Sequence, residues 1–533
     1  MDTAHIYPDE PVNAGSYDSD SPGRSGTTTP RSSISEAKGS SLTDYASPLK
    51  FFQKPIVRQY FHKGLLWRAS DQEEVQSFEL FVDLLYVGII AINGDFASEH
   101  PTGLSLLRFV ITFTLSYKIW NDMTMLISWF ETNDIYQRIS VLFLLACLFG
   151  YTTNITEAFD TTYSQMIAFY LTARLYMATY LIIVAFLIPM IRYVMITLVV
   201  THLIGAALWI GSIYVAYPQQ LALIWLAIFV DACAATAHLV PKLASCLGPK
   251  MKERVESAFE FYPGKYTPAL NIEHKTERTN AFVTLVFGYT VVAMLYQNRA
   301  SMGLNAFFGK AVLGLVQAYC FNWLYFEVDG ANLSMHAIRR HKASAMLWLF
   351  AHLPFIMSFV LAGGALSRLV AASDTDHADV EDLTETYQGR SEHEINQGIK
   401  WFYCGGLGVA LACMGIIAIA NVHKELSTLR MRKRHRLLIR FAVAITLICL
   451  PLAESLNSLE LIGTVTGLVV LVLGCELWFS SCRDSPLWRR TKPCSYMGSC
   501  PKRGLENLLR NGAEVKVEKL VDGKRGNEGA ILA

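Results

Sequence analysis

Apolar residues in this chain are concentrated in long runs that short polar stretches separate. A membrane-spanning helix needs about 20 consecutive, mostly apolar residues. The segments that approach this length are 77–97, 104–129, 139–155, 165–190, 193–216, 219–240, 280–297, 303–326, 344–370, 401–421, 437–455 and 460–480. The pattern therefore predicts an all-α polytopic membrane protein with about twelve transmembrane helices.

The two ends of the chain differ in composition from its middle. Residues 1–48 are rich in Ser, Thr, Pro, Gly and Asp, and such a segment cannot bury enough apolar surface to fold by itself. We therefore expect a disordered cytosolic tail over residues 1–48 and a polytopic transmembrane domain over residues 49–480. Residues 481–533 are expected to form a second cytosolic tail that is mostly disordered.

Lys and Arg residues are concentrated in alternate connections between the predicted spans. They occur before the first span, in the C-terminal tail, and in the connections near 241–279, 327–343 and 422–436. The connections that have no Lys or Arg are those near 98–103, 156–164, 217–218 and 456–459. Because cytosolic connections carry the excess of basic residues, the alternation predicts that both termini are cytosolic. It does not distinguish the plasma membrane from an endomembrane.

The overall composition agrees with a membrane protein and argues against other classes. Only 17% of the residues are charged, whereas soluble domains carry roughly 25%. The net charge of +1 gives no basic surface for a nucleic-acid partner. None of the 11 cysteines falls in a predicted exterior loop, so a disulfide framework is not expected. No cofactor or metal site is predicted, and the predicted partners are the lipid bilayer and an unidentified small solute or ion.

Charged residues lie within several of the predicted spans. A charge at the bilayer centre costs about 2.5–3.5 kcal/mol, so such residues are usually partnered or functional. Glu79 and Asp83 are four residues apart and share one face of the first span. Either a cation lies opposite them or one of the two carboxylates holds a proton. Lys118 and Asp122 have the same spacing in the second span, with Asn121 beside Asp122.

Two further charges lie near the middle of other spans, Arg174 in the fourth and Asp231 in the sixth. Together these residues could form an inward-facing polar cluster that carries protons or binds a charged solute. They could equally form structural ion pairs that fix the register of the helices. The sequence leaves both interpretations open. The candidate transport or ion-binding residues are Glu79, Asp83, Lys118, Asn121, Asp122, Arg174 and Asp231.

The stretch FELFVDLLYV at Phe78–Val87 resembles the opening signature of the bacterial low temperature requirement A family. Similar blocks follow in the family's order: Trp120–Asp122 with Trp129–Phe130, Arg174, the H-x-x-E-R motif at His274–Arg278, Trp323–Glu327, and His352–Pro354. The resemblance implies the fold and topology of a multi-pass membrane protein and says less about activity. The extended N-terminal tail suggests a eukaryotic, fungal branch.

One position departs from the family pattern. The helix that follows H-x-x-E-R commonly ends in a Gly-Glu pair in the family, but here Gly288 is followed by Tyr289. Any role that this Glu has in ion or proton movement in relatives would be lost or relocated in this chain.

The other residues of the resembling blocks are expected to be structural or interfacial. Glu277 would lie in the first turn of the seventh helix, where the helix dipole favours an anion. His274 and Arg278 would meet lipid headgroups. The aromatic residues and their polar neighbours are expected at the membrane interface or in structural contacts: Trp323, Tyr325, Phe326, Glu327 and His352.

Three functions are compatible with the sequence. A secondary transporter is favoured by the dozen spans, the charged residues within them, and a weak repeat that would give two six-helix halves of parallel topology. In that repeat Glu79 and Glu277 open helices of the same orientation. A structural or regulatory protein linked to low temperature or lipid state is the alternative. A membrane-embedded enzyme with His238 or His352 as an acid–base group is less favoured, because the chain has no nucleophile elbow or H-E-x-x-H motif.

Overall fold

The computed structural model describes residues 50–62, 65–68, 75–132, 134–234, 266–295, 304–424 and 429–481. The chain divides into two compact units, Met1–Lys50 and Phe51–Ala533. Of the first unit only Lys50 is described, so the following account concerns the second unit.

Long helices dominate this second unit. In chain order they are α1 Ser77–Glu99, α2 Gly103–Trp129, α3 Ile135–Thr153, α4 Tyr163–Leu187, α5 Arg192–Ile213, α6 Gln220–Ala234, α7 Ile272–Leu295, α8 Ala306–Trp323, α9 Lys342–Ala371, α10 Gln397–Ala420, α11 Lys433–Cys449 and α12 Ser458–Phe479. Shorter helical turns cover Pro189–Ile191, Leu324–Asp329, Ala337–Arg340, Val380–Asp382, Glu385–Gln388 and Leu450–Leu452. Each apolar segment of the sequence overlaps one long helix.

Nine helices in the described part of the chain are long and apolar enough to cross a membrane. The remaining long helices, α2, α6 and α8, fall short for visible reasons. Helix α2 carries Arg108, Lys118 and Asp122, α6 has 15 residues in the described region, and α8 includes Lys310. The expected all-α, multi-pass membrane architecture is confirmed.

Polar residues at the helix starts explain several of the observed boundaries. Asp134 accepts a hydrogen bond from the backbone N–H of Gln137 at 2.8 Å, so α3 begins four residues before the apolar run at 139. Asn457 caps α12 in the same way. Helix α7 begins at Ile272, before the apolar run at 280 and about one turn before the start expected from Glu277. Its polar first turns were excluded from the expected span, but they are buried against α1, which allows the helix to start earlier.

Short β-strands join the connections between helices. Strand β1 (Ile56–Val57) pairs with β4 (Phe130–Glu131), and β2 (Gln59–His62) pairs with both β3 (Leu65–Arg68) and β5 (Thr267–Pro268). Strand β6 (Leu333–Met335) pairs with β7 (Val422–His423). All of these pairings are antiparallel, and all join segments that the Lys/Arg pattern assigns to one side of the membrane.

Connections assigned to the opposite side also contact one another. Asp374, after α9, accepts a hydrogen bond from the backbone N–H of Ser458 at 2.7 Å. The Lys400 ammonium at the start of α10 donates to the carbonyl of Glu454 at 2.9 Å. The contacts therefore form two groups of connections, one at each end of the helices.

The centre of the unit is packed closely around α9. Helix α9 contacts α1, α7 and α10, and small residues permit the close approach, as is common between membrane helices. A Cβ atom at Gly364 would lie 2.5 Å from the carbonyl oxygen of Gly94 in α1. A Cβ atom at Gly406 in α10 would lie 2.6 Å from the carbonyl oxygen of Ser358. At both positions the glycine faces a backbone carbonyl of the neighbouring helix, so there is no room for a larger side chain.

Candidate solute-binding site

A buried cluster of charges joins the first turns of α1 and α7. Glu79 and Asp83 lie one turn apart on α1 and face His274 and Arg278, which lie one turn apart on α7. The Arg278 guanidinium donates to both oxygens of Asp83 at 2.6 and 2.8 Å, and its Nε lies 3.3 Å from Oε2 of Glu79. The His274 ring Nε2 lies 3.0 Å from the same Glu79 oxygen. Arg278 is thus the cation opposite the two carboxylates.

Trp120 of α2 completes this group, which we call the Arg278 cluster (Glu79, Asp83, Trp120, His274 and Arg278). Its indole N–H donates to Oδ1 of Asp83 at 3.0 Å. Asp83 therefore accepts hydrogen bonds from two other helices. A bidentate arginine and a further donor on one carboxylate are the geometry that makes a buried ion pair tolerable.

The expected contact of His274 and Arg278 with lipid headgroups is wrong. Arg278 is fully buried and His274 is 5% exposed, because the carboxylates of α1 attract both side chains inward. Glu277, between them, points away and is exposed. The sequence shows the i, i+4 spacing on each helix. The contact between Arg278 and Asp83 joins residues 195 positions apart, and no local sequence pattern indicates it.

A second group of charges lies between α2, α4, α5 and α6. Lys118 and Asp122 form an ion pair on α2, and Nε2 of His202 in α5 lies 3.7 Å from Oδ2 of Asp122. Arg174 of α4 pairs with Asp231 of α6. We call these residues the cavity cluster (Lys118, Asp122, Arg174, His202 and Asp231).

Aromatic side chains hold the second ion pair of the cavity cluster. The Tyr170 hydroxyl and the Trp209 indole N–H each donate to Oδ2 of Asp231 at 3.0 Å. The other oxygen, Oδ1, is buried and has no hydrogen-bond partner among the described residues, and the same is true of Nε and Nη2 of Arg174. Oδ2 of Asp122 also lacks a hydrogen bond in this part of the chain. In the Arg278 cluster Nε of Arg278 and Nδ1 of His274 also lack a hydrogen bond among the described residues, but every carboxylate oxygen accepts one. The unused carboxylate oxygens therefore lie in the cavity cluster.

A cavity of about 440 Å³ adjoins the cavity cluster. Its walls come from α2, α4, α5, α6, α7 and α9, and residues around β2 and β5 also line it. Sites for drug-sized ligands measure about 300–1,000 Å³ and are mostly apolar with a few polar groups. The cavity fits this description, since most of its walls are apolar or aromatic. The polar side chains among them include Lys118, Asn121, Asp231, Lys275 and His352.

The structure separates the expected site residues into two sets. Lys118, Asn121 and Asp231 line the cavity, and Asp122 and Arg174 pair directly with residues of its wall. Glu79 and Asp83 belong instead to the Arg278 cluster. Sequence reasoning missed Lys275 and His202. Lys275 was hidden inside the H-x-x-E-R motif, and a lone His in an apolar span gives little signal.

His352 and Tyr325 form a buried contact beside the cavity. The Nδ1 atom of His352 lies 2.6 Å from the carbonyl oxygen of Trp348, so this nitrogen carries the proton and Nε2 is left as an acceptor. The Tyr325 hydroxyl lies 3.1 Å from that Nε2. Tyr325 is 6% exposed and its hydroxyl bonds inward, so of the two expected environments it has the structural contact.

The neighbours of Tyr325 are more accessible. Trp323 and Phe326 are half-buried, and Glu327 is exposed. His238, named above as an acid–base candidate, lies outside the described residues. Within the described residues, no three His, Cys, Asp or Glu side chains are grouped as a metal site would require.

A third buried charge cluster lies near the ends of α8, α11 and α12. Arg440 of α11 donates to Oδ2 of Asp329 at 2.7 Å and to Oε1 of Glu476 at 2.8 Å. Arg436, one turn earlier, lies 3.0 Å from Glu476. We call this the Arg440 cluster (Asp329, Arg436, Arg440 and Glu476). Like Arg278, Arg440 bridges two carboxylates, and it is not among the described residues that line the cavity.

Comparison with known proteins adds one finding. Residues 74–474 match the family model described as Bacterial low temperature requirement A protein (LtrA). This is well over half of the chain and includes all of the motif blocks noted in the sequence. No curated protein and no solved structure matches the chain.

Proposed function

This chain belongs to the low temperature requirement A (LtrA) family, and we propose that it is a secondary transporter of a small solute or ion. The observation that carries the proposal is the 440 Å³ cavity between six helices, with an incompletely bonded group of charges at its wall. Charged residues inside a membrane domain, facing a cavity, mark solute and ion pathways.

The proposal includes twelve transmembrane helices with both termini in the cytosol. Support comes from the contacts between connections, which form two groups at opposite ends of the helices. The group joined by the β-strands carries the excess of Lys and Arg. Alternating sidedness over twelve helices produces this grouping, and the positive-inside rule makes the basic side cytosolic. The membrane would be the plasma membrane or an endomembrane, and the long N-terminal tail favours a fungal branch of the family.

We also propose two six-helix halves of parallel topology. Each of five packed helix pairs in the first half has a counterpart six helices later. The pairs in the first half are α1–α2, α1–α3, α3–α4, α4–α5 and α5–α6. Their counterparts are α7–α8, α7–α9, α9–α10, α10–α11 and α11–α12. The halves are not identical, because α2 also packs on α4 whereas α8 packs on α12. Parallel repeats of this kind occur in transporters whose solute site lies between the halves. The cavity has walls from both halves, which agrees with that arrangement.

The two charge clusters would have different roles in transport. In the cavity cluster Asp122 is the carboxylate best suited to bind and release an ion, since its side chain is 14% exposed and Oδ2 has no hydrogen bond among the described residues. In the Arg278 cluster both carboxylates are tied to Arg278, and the expected role is to hold α1, α2 and α7 together. This division revises the initial grouping of Glu79 and Asp83 with the transport residues.

A flux assay tests the proposal. Purified protein in proteoliposomes would be screened for uptake of metabolites and ions under an imposed pH or ion gradient. We expect gradient-driven flux that Asp122→Asn abolishes while the protein still folds. The matched control is Asp160→Asn, because Asp160 pairs with Arg108 at an exposed position remote from the cavity.

Other outcomes would support the alternative functions. Unchanged flux in Asp122→Asn contradicts the proposed role of this carboxylate. Turnover of a substrate in detergent, without any gradient, would favour a membrane-embedded enzyme. A structural or regulatory protein linked to low temperature or lipid state would show no flux. It would also tolerate the double change Lys118→Met and Asp122→Leu without loss of its cellular effect.

A further inference from the structure

Lys275 is a buried lysine at the start of α7, and its side chain is 1% exposed. Its Nζ donates to Oδ1 of Asn121 at 3.0 Å and lies 4.7 Å from the centroid of the Trp120 ring. No carboxylate of the described residues is in ion-pair contact with it. The buried Lys310, in contrast, has Asp374 at 3.6 Å. A buried ammonium without a counter-charge is costly, so this position favours an anion beside it.

The charge of the whole cavity wall points the same way. The charged side chains at the described wall are three lysines and one carboxylate: Lys118, Lys275, Lys342 and Asp231. Asp231 pairs with Arg174 and Lys118 pairs with Asp122, so these two wall charges are compensated and the case for an anion lies with Lys275. The first turn of α7, where Lys275 lies, adds the positive end of a helix dipole.

Most of the rest of the wall is apolar or aromatic, and these residues include Tyr117, Met125, Trp129, Leu198, Trp348 and Leu353. A small inorganic anion would satisfy Lys275 but leave this surface uncovered. A ligand with a charged end and an apolar body would contact both, and burial of apolar area contributes about 25 cal/mol per Å².

We propose that this cavity binds an organic anion with one carboxylate and an apolar body, and that Lys275 is the residue that recognises the carboxylate. As an identification of the transported substrate class, the proposal rests on the transport function above. As a binding site, it depends only on the cavity and Lys275. Asn121 positions the ammonium, and the aromatic wall accommodates the apolar body.

The first experiment varies the charge of the ligand and leaves the protein unchanged. Full-length protein in lipid nanodiscs would be incubated with radiolabelled decanoate, and empty nanodiscs would measure partition into lipid. Competitors with the same alkyl chain are 1-decanol, which is neutral, and decyltrimethylammonium, which is a cation. We expect both to compete at least tenfold more weakly than unlabelled decanoate.

The same assay separates two sources of such an anion. If palmitate displaces decanoate more strongly than 3-phenylpropionate does, the site takes fatty acids from the membrane. The opposite order indicates soluble carboxylates. Either order supports a carboxylate site, and failure of every carboxylate to displace the label would overturn it.

Two variants test Lys275 directly. Lys275→Gln should weaken decanoate binding at least tenfold and leave decanol competition unchanged, whereas Lys275→Arg should retain binding. Asn121→Asp would place a carboxylate beside Nζ, at the position of the present 3.0 Å contact. This internal ion pair should raise the melting temperature and abolish decanoate binding. The exposed Lys424 supplies the control, Lys424→Gln, which should bind as the wild type does.

The outcomes keep the two proposals apart. Equal affinity for all three ten-carbon probes, or unchanged decanoate binding in both Lys275→Gln and Asn121→Asp, overturns the anion site. Lys275-dependent binding without any flux contradicts transport but leaves the site in place. Flux of a cation that depends on Asp122 and that decanoate does not inhibit contradicts the anion site alone.

Discussion

The Arg278 cluster and the cavity cluster use the same kinds of residue and adjoin each other on α2, where Trp120 lies between Lys118 and Asp122, yet they are bonded differently. In the Arg278 cluster, Arg278 bridges Glu79 and Asp83, and Trp120 adds a further hydrogen bond. In the cavity cluster, buried atoms of Asp122 and Asp231 have no hydrogen-bond partner in the described part of the chain. The difference shows that a charge inside the membrane is not by itself a functional signal. A carboxylate oxygen without a hydrogen bond beside a cavity is the more selective criterion.

The largest expected effect is on the stability of the protein, which a substitution in the Arg278 cluster should lower more than one in the cavity cluster. Arg278→Gln would leave two buried carboxylates one turn apart without their cation, and removing one partner of a buried ion pair costs about 3–5 kcal/mol. We expect loss of monodisperse protein or a large drop in melting temperature in detergent. Asp122→Asn should have a much smaller effect, because its pair with Lys118 is partly exposed to the cavity.

Two variants control this experiment. Arg108→Gln removes an arginine from an exposed ion pair with Asp160 and should change stability by less than about 1 kcal/mol. The triple change Glu79→Gln, Asp83→Asn and Arg278→Gln removes the uncompensated charge and should recover part of the loss. If Arg278→Gln is as stable as Arg108→Gln, the structural role of the Arg278 cluster is refuted.

A smaller effect on stability is expected from glycine substitutions, which compare the packing around α9 with the packing beside the cavity. Gly364→Ala would place a Cβ atom 2.5 Å from the backbone carbonyl of Gly94, and backbone on both sides cannot move easily. Overpacking of this kind costs about 1–3 kcal/mol. Gly205→Ala would also bring a Cβ to 2.5 Å of another atom, but that atom is the side-chain Oδ1 of Asp231. A side-chain atom next to the cavity can shift more easily than a backbone carbonyl.

We therefore expect Gly364→Ala to lower the melting temperature more than Gly205→Ala. Gly88→Ala is the matched control, since a Cβ there meets nothing within 4 Å, and removing a helical glycine should be neutral or slightly stabilising. Thermal unfolding of the three variants in one detergent measures the order. Equal decreases in melting temperature for Gly364→Ala and Gly205→Ala would mean that the residues beside the cavity are packed as rigidly as those around α9.

Local patterns in the sequence predicted the helices well. Each apolar run overlaps a helix, because length and hydrophobicity are properties of the segment itself. The i, i+4 spacing of Lys118 and Asp122 is likewise local, and the two side chains do pair. The burial of the polar start of α7 was not predicted, since it depends on the carboxylates of α1.

The site itself depended on contacts that no local pattern contains. Glu79 and Asp83 looked like transport residues because their cation, Arg278, is 195 residues from Asp83 in sequence. Lys275 looked like part of a surface motif because the neighbouring Glu277 and Arg278 suggested an exposed helix end. The packing of α7 against α1 and α2 is what distinguishes the two cations. It brings Arg278 to the carboxylates of α1 and leaves Lys275 without a carboxylate in ion-pair contact among the described residues.

The smallest expected effect concerns the Arg440 cluster, which is bonded like the Arg278 cluster but lies beside a titratable group. His423, in β7, lies with Nε2 3.0 Å from the carbonyl oxygen of Asp329 and Nδ1 2.7 Å from the Lys433 ammonium. Burial, followed by the charge of Lys433, lowers the pKa of His423 from 6.5 to about 4. The neutral ring is therefore the form that fits the fold.

The sign of the pH effect follows from this shift. Between pH 6.5 and 4 the unfolded chain binds a proton at His423 that the folded chain does not, so lowering the pH favours unfolding. This contribution to stability is fully present above pH 6.5 and is lost as the pH falls toward 4. Because His423 is partly exposed, solvent screening reduces the effect, and we expect about a 2 °C decrease in melting temperature.

His423→Gln keeps a donor for the Asp329 carbonyl but does not titrate, so its melting temperature should change less between pH 7 and 5 than that of the wild type. An identical pH dependence in both proteins would show that His423 stays neutral without cost and that the Arg440 cluster is insensitive to its neighbour.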